Sequence, residues 1–257
     1  YLRTKKDIFI SYLFMDKTTI SHLLIYIGTF ISSYYVSLNY HSIISSLLFG
    51  WSIYGLTTIG HDLLHKPTSL NRFWAFFCLD AIIISSDEWI QMHNKEHHAD
   101  LKGEKDIMLL KGDNLVEEWV YLLEISKNSS VINHIYRLPF YHLLFQLHWY
   151  QIIAVYFNVF FCLAYFTYIT HGDSVPSIYP VGSIQHNLDN TWDIFPESWL
   201  CGLIFGSINI HATHHCFPTC SRSELLTKSK YLAKRYPRNY RSINTFQGLY
   251  NLYKNRK

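Results

Sequence analysis

The sequence predicts an all-α integral membrane bundle of about four transmembrane helices, with a cytoplasmic helical cap that carries clusters of histidine. Three observations predict it. Hydrophobic residues make up 49% of the 257 and aromatics 17%, against 16% charged, an aromatic load usual where rings gather at membrane interfaces. Two apolar runs near the start are each long enough to cross a bilayer. Fifteen histidines include three groups at helical spacing. A mean hydropathy of +0.03 is lower than spans alone would give, so a substantial polar part accompanies them.

The elements follow in chain order. Residues 20–38 form a nearly uncharged run and 42–59 a second, each of crossing length at about 1.5 Å per residue. Only a few residues around Asn39-Tyr40-His41 separate them, so they form an antiparallel hairpin, and the chain start and residue 60 share one side. Residues 73–86 are apolar but short and interrupted by Asp80, which reads as interfacial or re-entrant. From 87 to 130 the chain is polar, with a small apolar patch at 119–125. Residues 140–170 are a long aromatic stretch, and 199–210 a last apolar one too short to span. If the histidines near residues 61, 93 and 211 meet at one site, an even number of crossings separates them, so 73–86 does not cross. The 140–170 window then holds two short tilted helices, or one crossing with a return near 196–210. Its helix is about 46 Å long, less than two crossings of a ~30 Å core.

Charge is uneven. Over 222–257 the basic residues Arg222, Lys228, Lys230, Lys234, Arg235, Arg238, Arg241, Lys254, Arg256 and Lys257 meet one acid, Glu224. This is a solvated tail or a cytoplasmic one lying against anionic lipid, and Arg3, Lys5 and Lys6 put the N-terminus on the same side. The net charge of +3 is too small to argue for a nucleic-acid partner. Five scattered cysteines make no disulfide framework. Cys216 and Cys220 lie beside a histidine cluster, but a four-residue step with no second pair is a weak zinc motif.

The histidines carry the chemistry. His61 and His65 close the second run; His93, His97 and His98 follow in His93-Asn94-Lys95-Glu96-His97-His98; His211, His214 and His215 stand in His211-Ala212-Thr213-His214-His215. Steps of three or four residues put imidazoles on one face of a helix, where two can grip one metal. A lone pair at that spacing is usually incidental, but two His-His clusters plus a pair that ends a span are not. Eight imidazoles exceed the four ligands of a tetrahedral zinc, and nitrogen-rich open sites suit iron among redox metals. Two ions with about four histidines each use the set. No glutamate stands as the base of a His-Glu-x-x-His protease. His22, His41, His134, His142 and His148 have no partner at ligand spacing and read as interface or packing residues.

The series His61-x-x-x-His65, His93-x-x-x-His97-His98 and His211-x-x-His214-His215 resembles the membrane fatty acid desaturase superfamily of histidine-box diiron desaturases, hydroxylases and ketolases. The His61-Asp62 start and the run His214-His215-Cys216-Phe217-Pro218 share in the likeness, which extends from about Trp51 to Tyr253. It implies one desaturase-like domain over 1–257, two iron ions and O2 as co-substrate. It also implies a ninth histidine ligand upstream of the third box. His186, 25 residues before His211, is the choice, with His171 its rival. Asp62, Glu96, Asp100 and Asp106 are candidates for orienting the ligand rings, Asp106 matching an acidic position after the second box. Three residues between His93 and His97, where acyl desaturases usually have two, resemble alkane hydroxylases instead. Those enzymes begin their first box with His-Glu, and this chain has His61-Asp62. The segments at 168–171 and 185–187 are similar to carotenoid ketolases.

A side-chain acid or base cannot take hydrogen from an unactivated methylene, but a metal pair that activates O2 can. The reading is therefore an O2-dependent desaturase that places a cis double bond in a lipid- or CoA-linked acyl chain, with no catalytic residue separate from the metal ligands. A hydroxylase or carotenoid ketolase is the near rival, and a non-enzymatic metal- or haem-binding protein the far one. Electrons come from outside, since the chain has no Gly-x-Gly-x-x-Gly, no cysteine cluster for iron–sulfur and no His-Pro-Gly-Gly. The resemblance implies cytochrome b5 or ferredoxin, docking on the basic face. The histidine boxes and both termini are expected on the cytoplasmic side, of the endoplasmic reticulum in a eukaryote or the inner membrane in a bacterium. The sequon Asn128-Ser129-Ser130 is then expected to go unused.

Overall fold

The computed structural model describes residues 15–80, 85–99, 101, 138–171, 177–245, 247, 248 and 250, with the side chain at 167 excepted. Asp100, Asp106, the sequon at 128–130, the patch at 119–125, His134 and the basic residues at 3–6 and 254–257 lie outside them.

Helix α1 (Lys17–Tyr40) begins where Asp16 accepts the Thr19 N–H at 2.8 Å, satisfying one of the first-turn donors that a helix cannot pair internally. It ends at His41, whose left-handed backbone (φ 51°) reverses the chain. Helix α2 (Ile43–Leu64) starts two residues later, capped by Ser42, so the predicted hairpin is present. Gly55 lets the Tyr26 ring of α1 lie against the α2 backbone, where any Cβ would overlap it.

Helix α3 (Ser69–Ala75) runs on into a π-helical segment, Phe76–Asp80. Together they are about 18 Å long, short of a ~30 Å core. Ala75, Cys78 and Leu79 are buried, while Phe73, Trp74 and Phe77 are exposed. Gly60, one residue before His61, allows Leu79 to press on α2, since a Cβ there would stand 2.8 Å from that of Leu79. The short helix α4 (Ser86–Trp89), opened by a Ser85–Glu88 capping box, leads into a second π-helical segment, Ile90–His97.

Helix α5 (Leu138–Phe145) precedes α6 (Trp149–Thr170). The long helix starts beside the α1–α2 turn, with the His148 ring 4.3 Å from that of His41, and ends at His171. The 140–170 window therefore holds one long helix and one short one. Among the described residues, α2 and α6 are long and apolar enough to cross a membrane. α1 is longer and carries more hydroxyls, yet turns Leu24, Ile31 and Tyr35 outward. At the α1–α2 turn the three helices share a buried polar lock. Ser37 and Ser45 hydroxyls meet at 2.8 Å, and Gln151 donates to the Ser37 carbonyl at 2.8 Å and the Ser46 hydroxyl at 3.3 Å.

The remaining elements are α7 (Ile184–Asn190), β1 (Asp193–Ile194), α8 (Trp199–Ile204), α9 (His211–Cys216), α10 (Arg222–Arg235) and β2 (Ser242–Ile243). The strands pair in parallel, Asp193 with Ser242 and Ile194 with Ile243. This small addition to the all-α expectation satisfies buried backbone that no helix contains. Helix α8 enters the α1–α2–α6 bundle and turns back at Gly206 and Ser207, both at positive φ. Its last carbonyls, unpaired within so short a helix, are taken up in series. Tyr26 donates to Leu203 at 2.5 Å, Trp51 to Ile204 at 3.3 Å and Tyr54 to Phe205 at 2.8 Å. Apolar residues alone would predict none of this; the chain supplies three aromatic donors at the depth where three carbonyls need them.

Candidate metal centre

Four elements bring histidines together: the end of α2, the π-helical segment Ile90–His97, the end of α6 and helix α9. They fall into two groups. His61, His65, His93, His98 and His214 form one, and His97, His171, His211 and His215 the other, with one ring nitrogen of each within 4.8 Å of its group's others. In the first, the Nε2 of His61 stands 2.8 Å from that of His93 and 3.0 Å from that of His65, and His93 and His98 are 3.0 Å apart. In the second, His211 lies 3.2 Å from His171 and 3.0 Å from His215. The groups adjoin, with the His98 and His215 rings 4.5 Å apart.

These distances test whether a cation fits. Imidazole nitrogens bind metals at about 2.1 Å, so two ligands at right angles around one ion stand about 3 Å apart. The Nε2 separations have that value. Proton sharing cannot explain them all. The Nδ1 of His61 lies 2.9 Å from Asp62, and with its proton there, its Nε2 offers a lone pair toward two neighbours. The Nε2 of His214 is buried with no hydrogen-bond partner, a cost that a bound cation removes. Burial first, and the neighbouring imidazoles second, hold His65, His93, His98, His211, His214 and His215 well below the ordinary imidazole range. They are neutral, the form that ligates. Each group could hold one ion, and imidazole-rich sites of this kind suit iron, copper, nickel or zinc.

The eight histidines of the three boxes are all in these groups. His186, the sequence's choice as a ninth ligand, is in neither group. Its Nε2 contacts the Leu101 carbonyl at 2.9 Å and Asn190 at 3.5 Å, because α7 packs on α9 from outside the centre. Its rival His171 is the ninth histidine of the two groups. Its one sequence signal is that it ends a long apolar run, as His61 and His65 do. Of the candidate orienting acids, Asp62 meets a ligand ring, whereas Glu96 accepts from Gln91 at 2.7 Å.

Sequence reasoning missed two residues. Trp89 stacks on His93 with centroids 4.8 Å apart and stands edge-on to His61 at 5.6 Å, fixing both rings by contact. Asp193, wholly buried, accepts from the Thr213 N–H at 3.1 Å, the Thr213 hydroxyl at 2.5 Å and the Tyr240 hydroxyl at 2.8 Å. Burial outweighs these bonds and pushes its carboxyl up to about 6. A buried carboxylate is costly unless hydrogen-bonded, and this one spends its bonds on holding α9. Neither residue has a spacing that marks it; both depend on contacts between distant segments.

No curated protein matches the chain. The family model described as Fatty acid desaturase matches residues 131–247, which include α6 with His171 and the whole third cluster. That family typically binds iron, in keeping with the two imidazole groups. This match over residues 131–247 supports membership of the membrane fatty acid desaturase superfamily.

Proposed function

We propose that the protein is a membrane-bound diiron oxidoreductase that uses O2 and external electrons to place a cis double bond in a fatty acyl chain, lipid- or CoA-linked. The observation that carries this reading is the pair of adjoining, all-imidazole groups in a chain that the family model matches over residues 131–247. Iron bound in both groups supplies the activation of O2 and the removal of hydrogen from an unactivated methylene. The reaction takes two hydrogens from the chain and, with two electrons and two protons, converts O2 to two waters.

The chain's own residues prepare that chemistry. Burial and mutual proximity keep His65, His93, His98, His211, His214 and His215 neutral. Asp62 accepts from the Nδ1 of His61 and so fixes which nitrogen faces the metal, a task such outer partners perform widely. Asp193 and Trp89 hold α9 and the His93 ring in place. The outward apolar surfaces of α1, α2 and α6 suit a bilayer, with α1 as a third span beside the two apolar helices. The acyl chain enters between these helices, its head group near the surface. The histidine end faces the cytoplasm, in line with the exposed basic residues Lys234, Arg235 and Arg238. That face docks the electron donor, a cytochrome b5 or ferredoxin.

Expression in a host of simple lipid profile, with fatty-acid and carotenoid analysis, tests the reading. A new double bond supports it. A product that gains oxygen points instead to a hydroxylase or ketolase, the reading favoured by the three-residue gap in the second box. Zinc alone in purified protein, or a haem absorption band, overturns both.

A further inference from the structure

The second cluster raises a problem of winding. His93 and His98 belong to one group and His97 to the other, yet His93 and His98 are five residues apart. In an α-helix such residues point about 140° apart, and they would not share a metal. Here the segment Ile90–His97 is π-helical, and bonds of the i→i+5 type bring the fifth residue back over the first. The His98 N–H donates to the His93 carbonyl at 3.0 Å. Two side-chain pairs repeat the same step. His93 and His98 nitrogens are 3.0 Å apart, and Gln91 donates to Glu96 at 2.7 Å.

The geometry points to a positioning role for this π turn. We infer that it divides the second cluster between the two metals, and that it does so by absorbing one residue more than an α-helical turn would need. The surplus falls among Asn94, Lys95 and Glu96. Asn94 is engaged, donating to the Leu64 carbonyl at the end of α2 at 2.9 Å, and so ties the second cluster to the first. Glu96 is engaged by Gln91. Lys95 is exposed, and its removal costs neither contact. Without it, His93 stands three and four residues from His97 and His98, the steps that an α-helix places together on one face. Gln91 and Glu96 become an i,i+4 pair, which an α-helix also brings into reach.

The inference rests on the two-metal reading, and the wild type separates the two. Purified protein is loaded anaerobically with Fe(II), or with Co(II) for its visible spectrum, and metal per folded chain is measured. Two metals per wild-type chain keep the reading; fewer end it before any variant is compared. With Lys95 deleted, two metals per chain and an unchanged Co(II) spectrum are expected. An alanine inserted after Lys95 moves His97 and His98 to five and six residues from His93, and the yield should fall to about one metal. A Lys95 deletion that loses a metal or fails to fold overturns the inference, as does an insertion that keeps both metals.

Discussion

The two ends of the α1–α2–α6 bundle are both buried and polar, yet they solve burial in opposite ways. At the α1–α2 turn, Ser37, Ser45, Ser46 and Gln151 exchange hydrogen bonds among themselves and with backbone. Donors match acceptors, and nothing further is needed. At the other end, nine imidazoles converge nitrogen on nitrogen, and the Nε2 of His214 is left without a partner. A closed polar network and an open one are told apart by this accounting, because a buried polar atom without a partner is costly. The difference separates a device that joins helices from one built around a guest.

Substitutions that break this contrast rank by how directly they touch the guest. His214→Ala and His171→Ala should each reduce activity by more than the roughly 100-fold upper range for outer partners of a metal site, with iron falling below two per chain by elemental analysis. The same change at His186 should leave iron content at the wild-type level, and a loss there would restore it as a ligand. Asp62→Ala should weaken metal affinity by roughly 10–100-fold, read by chelator competition, with all nine imidazoles still present. Asp193→Asn keeps an acceptor for the Thr213 N–H but removes the charge, and should lower activity by about tenfold, the smaller end of the same range. Gln151→Leu acts at the closed end. It should cost about 1 kcal/mol of stability, the scale of hydrogen bonds between helices in membranes, and leave iron content and product unchanged. If Gln151→Leu altered the metal content, the two ends would be coupled and the contrast would fail.

How much of this was legible in the sequence depends on the range of each signal. The α1–α2 hairpin was readable because both helices and their link are contiguous, as were the three histidine boxes, whose steps are local. The ninth histidine was not. His171 has no partner at helical spacing, and the residue it meets, His211, lies 40 positions on. His186 stood nearer the third box and amid polar residues, which is also what a residue hydrogen-bonded outside the centre looks like. The three-residue gap between His93 and His97 was visible, but its meaning lay in a π-helical winding that no periodicity rule anticipates. Asp193 could not be found because its partners, Thr213 and Tyr240, are 20 and 47 residues away.

The return of α8 within the bundle has a mechanical consequence. Tyr26, Trp51 and Tyr54 hold three successive carbonyls just ahead of the third histidine cluster, and Trp51 and Tyr54 stand on the helix that ends in the first. The height of His211 along the bundle is thereby gauged against the height of His61 by one set of hydrogen bonds. A change in the tilt of α2 would therefore carry the first and third clusters together.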